Sequence, residues 1–474
     1  MPKRERAMNS DNELKTSKAE ISLPREVENI IESLEAGGFK AYAVGGAVRD
    51  CVSGLTPDDW DITTSARPEE IKKVFSKRET IDTGIKHGTV TVLIDHKPYE
   101  VTSFRSEGSY SDCRHPDKVE FVTELSEDLR RRDFTVNSLA YNKKEGLIDL
   151  YGGLSDIDNK IIRTVGKAEE RFSEDALRIL RAVRFSSKLG FRIEPETKNA
   201  AEKLKGLLSG ISAERIFSEL SKTLSGENAV NALLDNSGII CEIIPEMKPC
   251  AGFNQHSKWH KYDVYEYIVR SVGAIDNKPE LKWAMFLHDI GKPEKFFMKD
   301  GEGHFYGHAD LSAKIAERIL LRLKASNSLR ERVVFLVKNH DRPFPESEVK
   351  IKKMLRDFGT ERFFSLVEVK KADNAAQGTD MALAESEKTE NTKKTAEKII
   401  ESGECFSLNQ MKISGRELSD IGFKGKSVGE ELEKLLDMCI VSPELNDENK
   451  LVGLAEKHME KINKSSYKSI NEGF

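Results

Sequence analysis

Between Val44 and Thr63 the chain reads VGGAVRDCVSGLTPDDWDIT, and no other stretch restricts so tightly what can be built around it. A short apolar run, Ala41 to Val44, ends on two glycines, so the backbone at Gly45 and Gly46 can approach a bulky anion that a side chain would exclude. Arg49 follows three residues later, within reach of the same anion. A second short strand then carries Asp59 and Asp61 around Trp60, and alternation along a strand puts both carboxylates on one face. Either piece alone is commonplace: a GG pair is usually a turn, and Asp-x-Asp is usually a solvated strand end. Together they place a phosphate cradle beside carboxylates able to hold Mg2+, as in-line displacement at a nucleotide phosphorus requires.

The flanking sequence supplies an α/β frame. Val27, Ile30, Ile31 and Leu34 recur at helical spacing between Pro24 and Gly38, and Arg67-Pro68 opens a short helix through Ile71, Val74 and Phe75. Thr89 to Ile94 and Tyr99 to Phe104 read as a hairpin around Asp95-His96-Lys97, with Glu100 a candidate third carboxylate. The segment 105–121 has no hydrophobic period and is expected to be a mobile loop beside the site. In RRRDFTVNSLAYN, residues 130–142, Asp133 is expected to cap a helix that turns Phe134, Leu139 and Tyr141 inward and leaves Arg131 and Arg132 near the phosphates. Beyond Glu169 helix is expected to follow helix. SEDALRILRAVRF sets Asp175, Arg178, Arg181 and Arg184 three residues apart, which as plain structure reads as a salt-bridged helix face. Helices are expected over 212–224 and 229–244, with Gly226 and Gly238 as stops.

GG-x-V-R-D followed ten residues after its Arg by Asp-x-Asp resembles the signature of nucleotidyltransferases of the DNA polymerase beta superfamily, in the bacterial class that contains CCA-adding enzymes and poly(A) polymerases. RRDFTVN is similar to the second motif of that family, and residues 149–166 to the third, which couples the head to the neck. The resemblance implies that the 105–121 loop helps switch from adding C to adding A, and that Asp175 and Arg178 form a protein template with Arg181 and Arg184 nearby. The chemistry is coherent. Cytosine and adenine each present an amino donor beside an unprotonated ring nitrogen, so a carboxylate and a guanidinium accept both while repelling uracil and guanine.

Six of the ten histidines fall between Gln255 and Asp341. A single such histidine is usually structural, but imidazoles and carboxylates on successive helices can hold divalent metal that activates water. The doublet His288-Asp289 followed by Ile-Gly-Lys resembles an HD phosphohydrolase domain, whose ligand series is filled by His260, His288, Asp289, His308, His340 and Asp373. His304 and His256 have no clear place in it. Residues 385–402, rich in Lys, Glu and Thr, read as an exposed helix or partly mobile linker, and 413–457 as a helical tail with a turn at Gly422 and Gly425.

Composition excludes several alternatives. With 33% charged residues and no apolar run of the length that spans a bilayer, membrane insertion is not expected. The first twenty residues lack the apolar core of a secretion signal. Six cysteines without a C-x-x-C pair fit a reducing cytoplasm. The net charge of −5 is awkward for binding nucleic acid, but residues 160–222 hold 14 Lys and Arg against 9 Asp and Glu.

The expected organisation is a disordered tail (1–22), an α/β nucleotidyltransferase head with a DNA polymerase beta-like mixed sheet (23–150), a helical neck and body for nucleotide and tRNA (151–250), an HD domain (251–378) and a helical, tRNA-binding tail (379–474), all α beyond the head. The resemblance implies addition of CCA to the 3′ end of tRNA from CTP and ATP. Asp59 and Asp61 would be catalytic and hold Mg2+; Gly46, Arg49, Arg132, Asp175, Arg178, Arg181 and Arg184 would bind nucleotide. The HD ligands would take a transition metal such as Ni2+, Mn2+ or Co2+. The rivals are a poly(A) polymerase or A-adding tRNA nucleotidyltransferase, a phosphohydrolase with a nucleotide-binding head, and a noncatalytic RNA-binding protein. Nothing in the sequence sets the oligomeric state.

Overall fold

The structure, a computed structural model, describes residues 16–17, 21–82, 84–107, 119–257, 261–377 and 379–471. It divides into two compact units, Met1–Lys248 with Arg322–Ala325, and Pro249–Leu321 with Ser326–Phe474.

The first unit is built on an eight-stranded mixed sheet in the order Thr16–Ser17, Gly146–Asp149, Leu139–Asn142, Ala41–Val44, Asp61–Thr64, Lys97–Ser103, Thr89–Ile94, Thr80–Ile81. Within it one pair is parallel, Asp61–Thr64 beside Lys97–Ser103, with Asp61 opposite Glu100. The helix Arg25–Ala36 buries the four apolar residues its periodicity singled out, and with Trp60, Ile62, Val101 and Phe134 they form one continuous core. The hairpin turn is tighter than expected. Asp95 (φ 50°) and His96 (φ 64°) make the whole two-residue loop, and Lys97 already pairs with Ile94. Both left-handed residues suit the twist of the flanking strands.

Several expectations require correction. The strand begins at Asp61, so Asp59 lies just before it. Residues 130–142 are not a helix: a short helix ends at Arg130, a 3-10 turn covers Thr135–Asn137, and Leu139–Asn142 is a strand with every residue buried. The run Leu-Ala-Tyr-Asn has to fill a central sheet position covered on both faces, and that burial overrides the helical pattern. The ends of the expected mobile loop pair as strands, Arg105–Glu107 against Val119–Phe121; residues 108–118 lie outside the described residues. Strands also continue beyond Glu169, as Arg192–Ile193 pairs in parallel with Ile161–Ile162, and a hairpin joins Phe297–Lys299 to Glu302–His304. Gly238 sits inside the helix Ser237–Ile243, and the break falls at Asn236.

The second unit is mostly helical. Val264–Gly273, Pro279–Leu287, Asn327–Asn339 and Thr360–Gln377 pack around Trp283, Phe286 and Leu336. Asp380–Glu401 is a continuous helix, so of the two expectations for 385–402 the helix holds and the linker does not, and one face of it is packed, with Ala396 and Ile399 buried against Ile351, Leu355 and Phe363. The tail helices Gly415–Ile421, Lys426–Val441 and Glu448–Asn471 enclose a small core of their own, with Phe423 inside it.

Candidate active site and a buried histidine cluster

The turn after Ala41–Val44 carries the first half of the site. Gly45 has φ 76° and ψ −134°, and a Cβ there would lie 3.1 Å from the Arg132 guanidinium and 3.8 Å from the Asp61 carboxylate. Glycine is therefore required both by conformation and by the closeness of two charged groups. Arg49 is buried, donates to Asp50 at 2.7 Å and to the Asn137 side-chain oxygen, and lies 5.5 Å from the Phe185 ring.

Asp61 is open to solvent at the edge of the strand, yet protein surrounds it on the cleft side. That crowding raises its pKa above the ordinary carboxylate value; Arg132 opposes the shift and Asp59 adds to it. Glu100 is raised by partial burial and then by Asp61 and Asp59. The mutual repulsion that Asp59 adds at Asp61, and that both add at Glu100, suits a divalent ion that would relieve it.

Two buried carboxylates aim the arginines: Asp128, which the sequence reading passed over, and Asp133, which it gave another role. Asp128, fully buried, accepts from Arg131 at 2.8 Å and 3.0 Å, from Arg132 at 3.4 Å and from the Thr63 hydroxyl at 3.2 Å. Burial alone would raise its pKa, but the two guanidiniums hold it below the ordinary value. Asp133 likewise caps no helix: it accepts from Arg181 at 2.7 Å and from Asn137 at 3.2 Å, and Arg181 outweighs burial to keep it ionised. An Asp three and four residues ahead of an Arg pair was the available signal for Asp128.

The neck helix is broken. Asp175 has extended backbone (φ −137°, ψ 103°) between Ala168–Glu174 and Leu177–Leu189, and its carboxylate accepts from the Leu177 N–H at 3.0 Å, which favours the break. Its second oxygen accepts from Arg215 at 3.0 Å, a partner not singled out in the sequence. Arg178 donates to Glu174 at 2.7 Å and to the carbonyls of Arg171 and Arg131 at 3.1 Å and 2.9 Å. Arg181 and Arg184 lie over the Phe185 ring at 5.4 Å and 4.3 Å, and Arg184 pairs with Glu219 at 2.9 Å. Gly46, Arg49, Asp61, Arg132, Asp175, Arg178 and Arg181 line one cleft of about 470 Å³; Asp59 and Arg184 stand outside its lining. The cleft gathers far more guanidinium than carboxylate, as a polyphosphate site needs.

In the second unit, His288, Asp289 and His340 form a buried cluster suited to a metal ion, with His308 and Asp373 beside it. His260 lies outside the described residues. The tautomers are set by backbone: Nδ1 of His288, His308 and His340 meets the carbonyl of Met285, Phe305 and Val337 at 2.8, 2.8 and 2.7 Å. A carbonyl only accepts, so each Nδ1 bears the proton and each neutral ring turns an Nε2 lone pair inward. Those lone pairs face other acceptors. His308 and His340 Nε2 are 3.2 Å apart, and Asp289 lies 3.1 Å from the Nε2 of both His288 and His308. His288 Nε2 and Asp289 Oδ1 have no hydrogen-bond partner although buried. Converging acceptors with backbone-fixed tautomers fit a divalent metal. The pull toward positive charge is direct: Asp289 and Asp373 raise the His288 pKa to about 10 against the effect of burial.

Comparison with known proteins identifies the domains that hold the two sites. Family models match residues 41–163 (Poly A polymerase head domain), 190–250 (Probable RNA and SrmB- binding site of polymerase A) and 260–394 (HD domain). The chain is 38% identical to the CCA-adding enzyme of Ligilactobacillus salivarius over 433 residues, 91% of this chain and 96% of that protein. It is 53% identical to the CCA-adding enzyme of Leuconostoc citreum over 215 residues, 45% of this chain and 53% of the relative. Among solved structures, the Bacillus stearothermophilus CCA-adding enzyme in complex with CTP is similar with a TM-score of 0.69 at 30% identity, covering 93% of this chain and 98% of that one.

Proposed function

The chain belongs to the family of CCA-adding enzymes, and from that premise we propose that its guanidinium-lined cleft adds C, C and A to the 3′ end of tRNA from CTP and ATP, releasing pyrophosphate. The observation that carries this is the convergence of Asp61, the Gly45-Gly46 turn and the Asp175–Arg178 segment on one cleft. The family depends on divalent metal, and we assign Mg2+ to Asp59 and Asp61, where it would activate the primer's 3′ hydroxyl and offset charge on the leaving group.

The chain's own residues do the rest. Gly45 and Gly46 let the phosphates approach the backbone, while Arg49, Arg132 and Arg181 supply positive charge held in place by Asp50, Asp128 and Asp133. Asp175 spends one lone pair on Leu177 and one on Arg215, and each carboxylate oxygen keeps a further lone pair for an exocyclic amino group. Arg178, fixed by Glu174 and two carbonyls, is pre-aimed to donate to the ring nitrogen of C or A. Arg184 acts one layer behind, packing on Phe185. We propose boundaries of 23–150 for the head, 151–250 for the neck and body and 379–474 for the tail, and among the described residues no helix is long and apolar enough to cross a membrane.

A second reading applies to the other unit. The inward Nε2 lone pairs and unpartnered Asp289 oxygen support a metal-dependent phosphohydrolase that takes Ni2+, Mn2+ or Co2+. The first reading is tested by incubating the protein with tRNA lacking its last three nucleotides and each labelled NTP separately, then sequencing the products. Incorporation of two C followed by one A is expected; runs of A would establish a poly(A) polymerase instead.

A further inference from the structure

Two cysteines meet in the tail. Cys405, in the segment after Asp380–Glu401, is 3% exposed, and Cys439, on Lys426–Val441, is fully buried; both belong to the small tail core that holds Phe423. Their thiols are hydrogen-bonded, Cys439 donating to the Cys405 sulfur, and Cys405 in turn lies 3.7 Å from the Ser407 carbonyl. A buried cysteine is ordinarily a small apolar filler. This pair has a charged neighbour for which a filler has no use: Lys352, 2% exposed on the helix Glu348–Phe358, is ion-paired with Glu404, the residue before Cys405.

The surroundings make the two sulfurs unequal. The hydrogen bond from Cys439, with smaller help from the Ser407 backbone and the Lys352 ammonium, holds the Cys405 thiol below its ordinary pKa against the effect of burial. Cys439, which gives that bond and is itself buried, is pushed up. A sulfur that ionises readily beside one that keeps its proton is the pairing of an attacking and a resolving thiol. The pair also stands on a seam between two cores. Cys405 belongs to the tail core, whereas Phe406 belongs to the neighbouring core of Ile351, Leu355 and Phe363. Glu348–Phe358 spans the same seam: Val349 packs on the tail core, and Arg356 and Lys353 reach Asp437, on the helix of Cys439, at 2.8 Å and 3.6 Å.

We propose that Cys405 and Cys439 are a reversible dithiol that hydrogen peroxide closes to a disulfide, stapling the tail core to the helices beside it. The Cys405 sulfur attacks one peroxide oxygen, the O–O bond breaks, and a first water leaves behind a sulfenic acid on Cys405. The Cys439 sulfur then attacks the Cys405 sulfur, the S–O bond breaks, and the hydroxyl departs with the Cys439 proton as a second water. Two electrons and two protons pass from the thiols to the peroxide. The new bond closes the loop 405–439 and stabilises by restricting the unfolded chain.

The test exposes the reduced full chain to a small excess of hydrogen peroxide in the presence of a chelator, caps the remaining thiols with iodoacetamide in urea, and maps the peptides without reduction. A cross-linked pair joining Cys405 to Cys439 is expected, lighter by two hydrogens than its separate peptides, reversed by dithiothreitol and formed before Cys51 is modified. Cys51 is the more exposed thiol but is pushed up by burial and by Asp50, so exposure alone would order the two reactions the other way. Oxidation of Cys51 while Cys405 and Cys439 are still capped as thiols overturns the proposal. Cys439→Ala is expected to stop at a sulfenic acid on Cys405 that dimedone traps, and Cys405→Ala to leave Cys439 unmodified; a sulfenic acid on Cys439 overturns the assignment of the attacking sulfur. The wild-type comparison needs no variant, so it decides the matter even where a core substitution unfolds the tail. Oxidised wild type should melt at least about 4 °C higher in its second unit, and an unchanged midpoint removes the staple.

Discussion

Asp128 offers the sharpest test of how the head is held together, because one buried carboxylate anchors two arginines of the cleft. Asp128→Asn keeps the shape and removes the charge. Arg131 and Arg132 are 14% and 18% exposed, so neither is freely rehydrated when its counter-ion goes. Breaking a buried pair costs about 3–5 kcal/mol; the residual exposure favours the lower figure, about 3 kcal/mol, or roughly a hundredfold in the folding equilibrium. For a unit of this size that is a fall of about 6–12 °C in the melting midpoint. The same change frees Arg132, so KM for CTP and ATP should rise together while their ratio holds, since neither base contacts Asp128. Acid supplies a second arm. The folded pKa of Asp128 lies below its unfolded value, so its contribution is complete above about pH 4 and fades as pH falls through the folded pKa. Wild type and variant should therefore converge in stability in acid. A loss under about 1 kcal/mol at pH 7, or a gap that persists unchanged at pH 2, refutes the anchoring argument.

Three further outcomes follow from the other groups. Asp59→Ala or Asp61→Ala should abolish addition of both C and A with tRNA affinity nearly intact in filter binding; near wild-type turnover in Mg2+ would remove these residues from the chemistry. Asp175→Ala should relax selection against UTP and GTP by roughly tenfold to a hundredfold in kcat/KM, the worth of one bidentate base contact, whereas an unchanged CTP to UTP ratio returns Asp175 to a purely structural partner of Arg215 and Leu177. Mn2+ at a hundredfold over its dissociation constant should stabilise the wild type by about 2.7 kcal/mol in urea titration, and the effect should vanish in His288→Ala/Asp289→Ala while CCA addition persists.

The sequence disclosed what depends on local pattern. The four-residue apolar run, its glycine pair and the Asp-x-Asp lay close together, and the helix Arg25–Ala36 and the 89–103 hairpin announced themselves by period and turn chemistry. It concealed what depends on distant partners. Asp133 looked like a helix cap because an Asp before an apolar run commonly is one, and only the fold reveals Arg181, 48 residues away, as its partner. Asp175 seemed to sit on a continuous helix, since nothing local shows that its side chain would bond Leu177 and break the turn. Arg215, Asn137 and Phe185 reach the cleft from elements whose own patterns are those of ordinary helices and turns. The histidine series was legible as residue types, but the backbone carbonyls that orient the rings carry no side-chain signature.

The parallel pairing of Asp61 with Glu100 divides the head into parts that tolerate a change of length and parts that do not. Parallel neighbours cannot be joined by a tight turn, so the chain between Thr64 and Lys97 must leave the pair and return. Residues gained or lost in the loops of that excursion, before the strand Thr89–Ile94, can be absorbed without moving either carboxylate. One residue inserted within Lys97–Ser103 cannot: it would send Glu100 to the opposite face of the sheet and bring an apolar neighbour to the cleft. The excursion is thus where such a head can acquire new surface over time, and the seven residues of the inner strand are a fixed gauge against which the reactive end of the molecule is set.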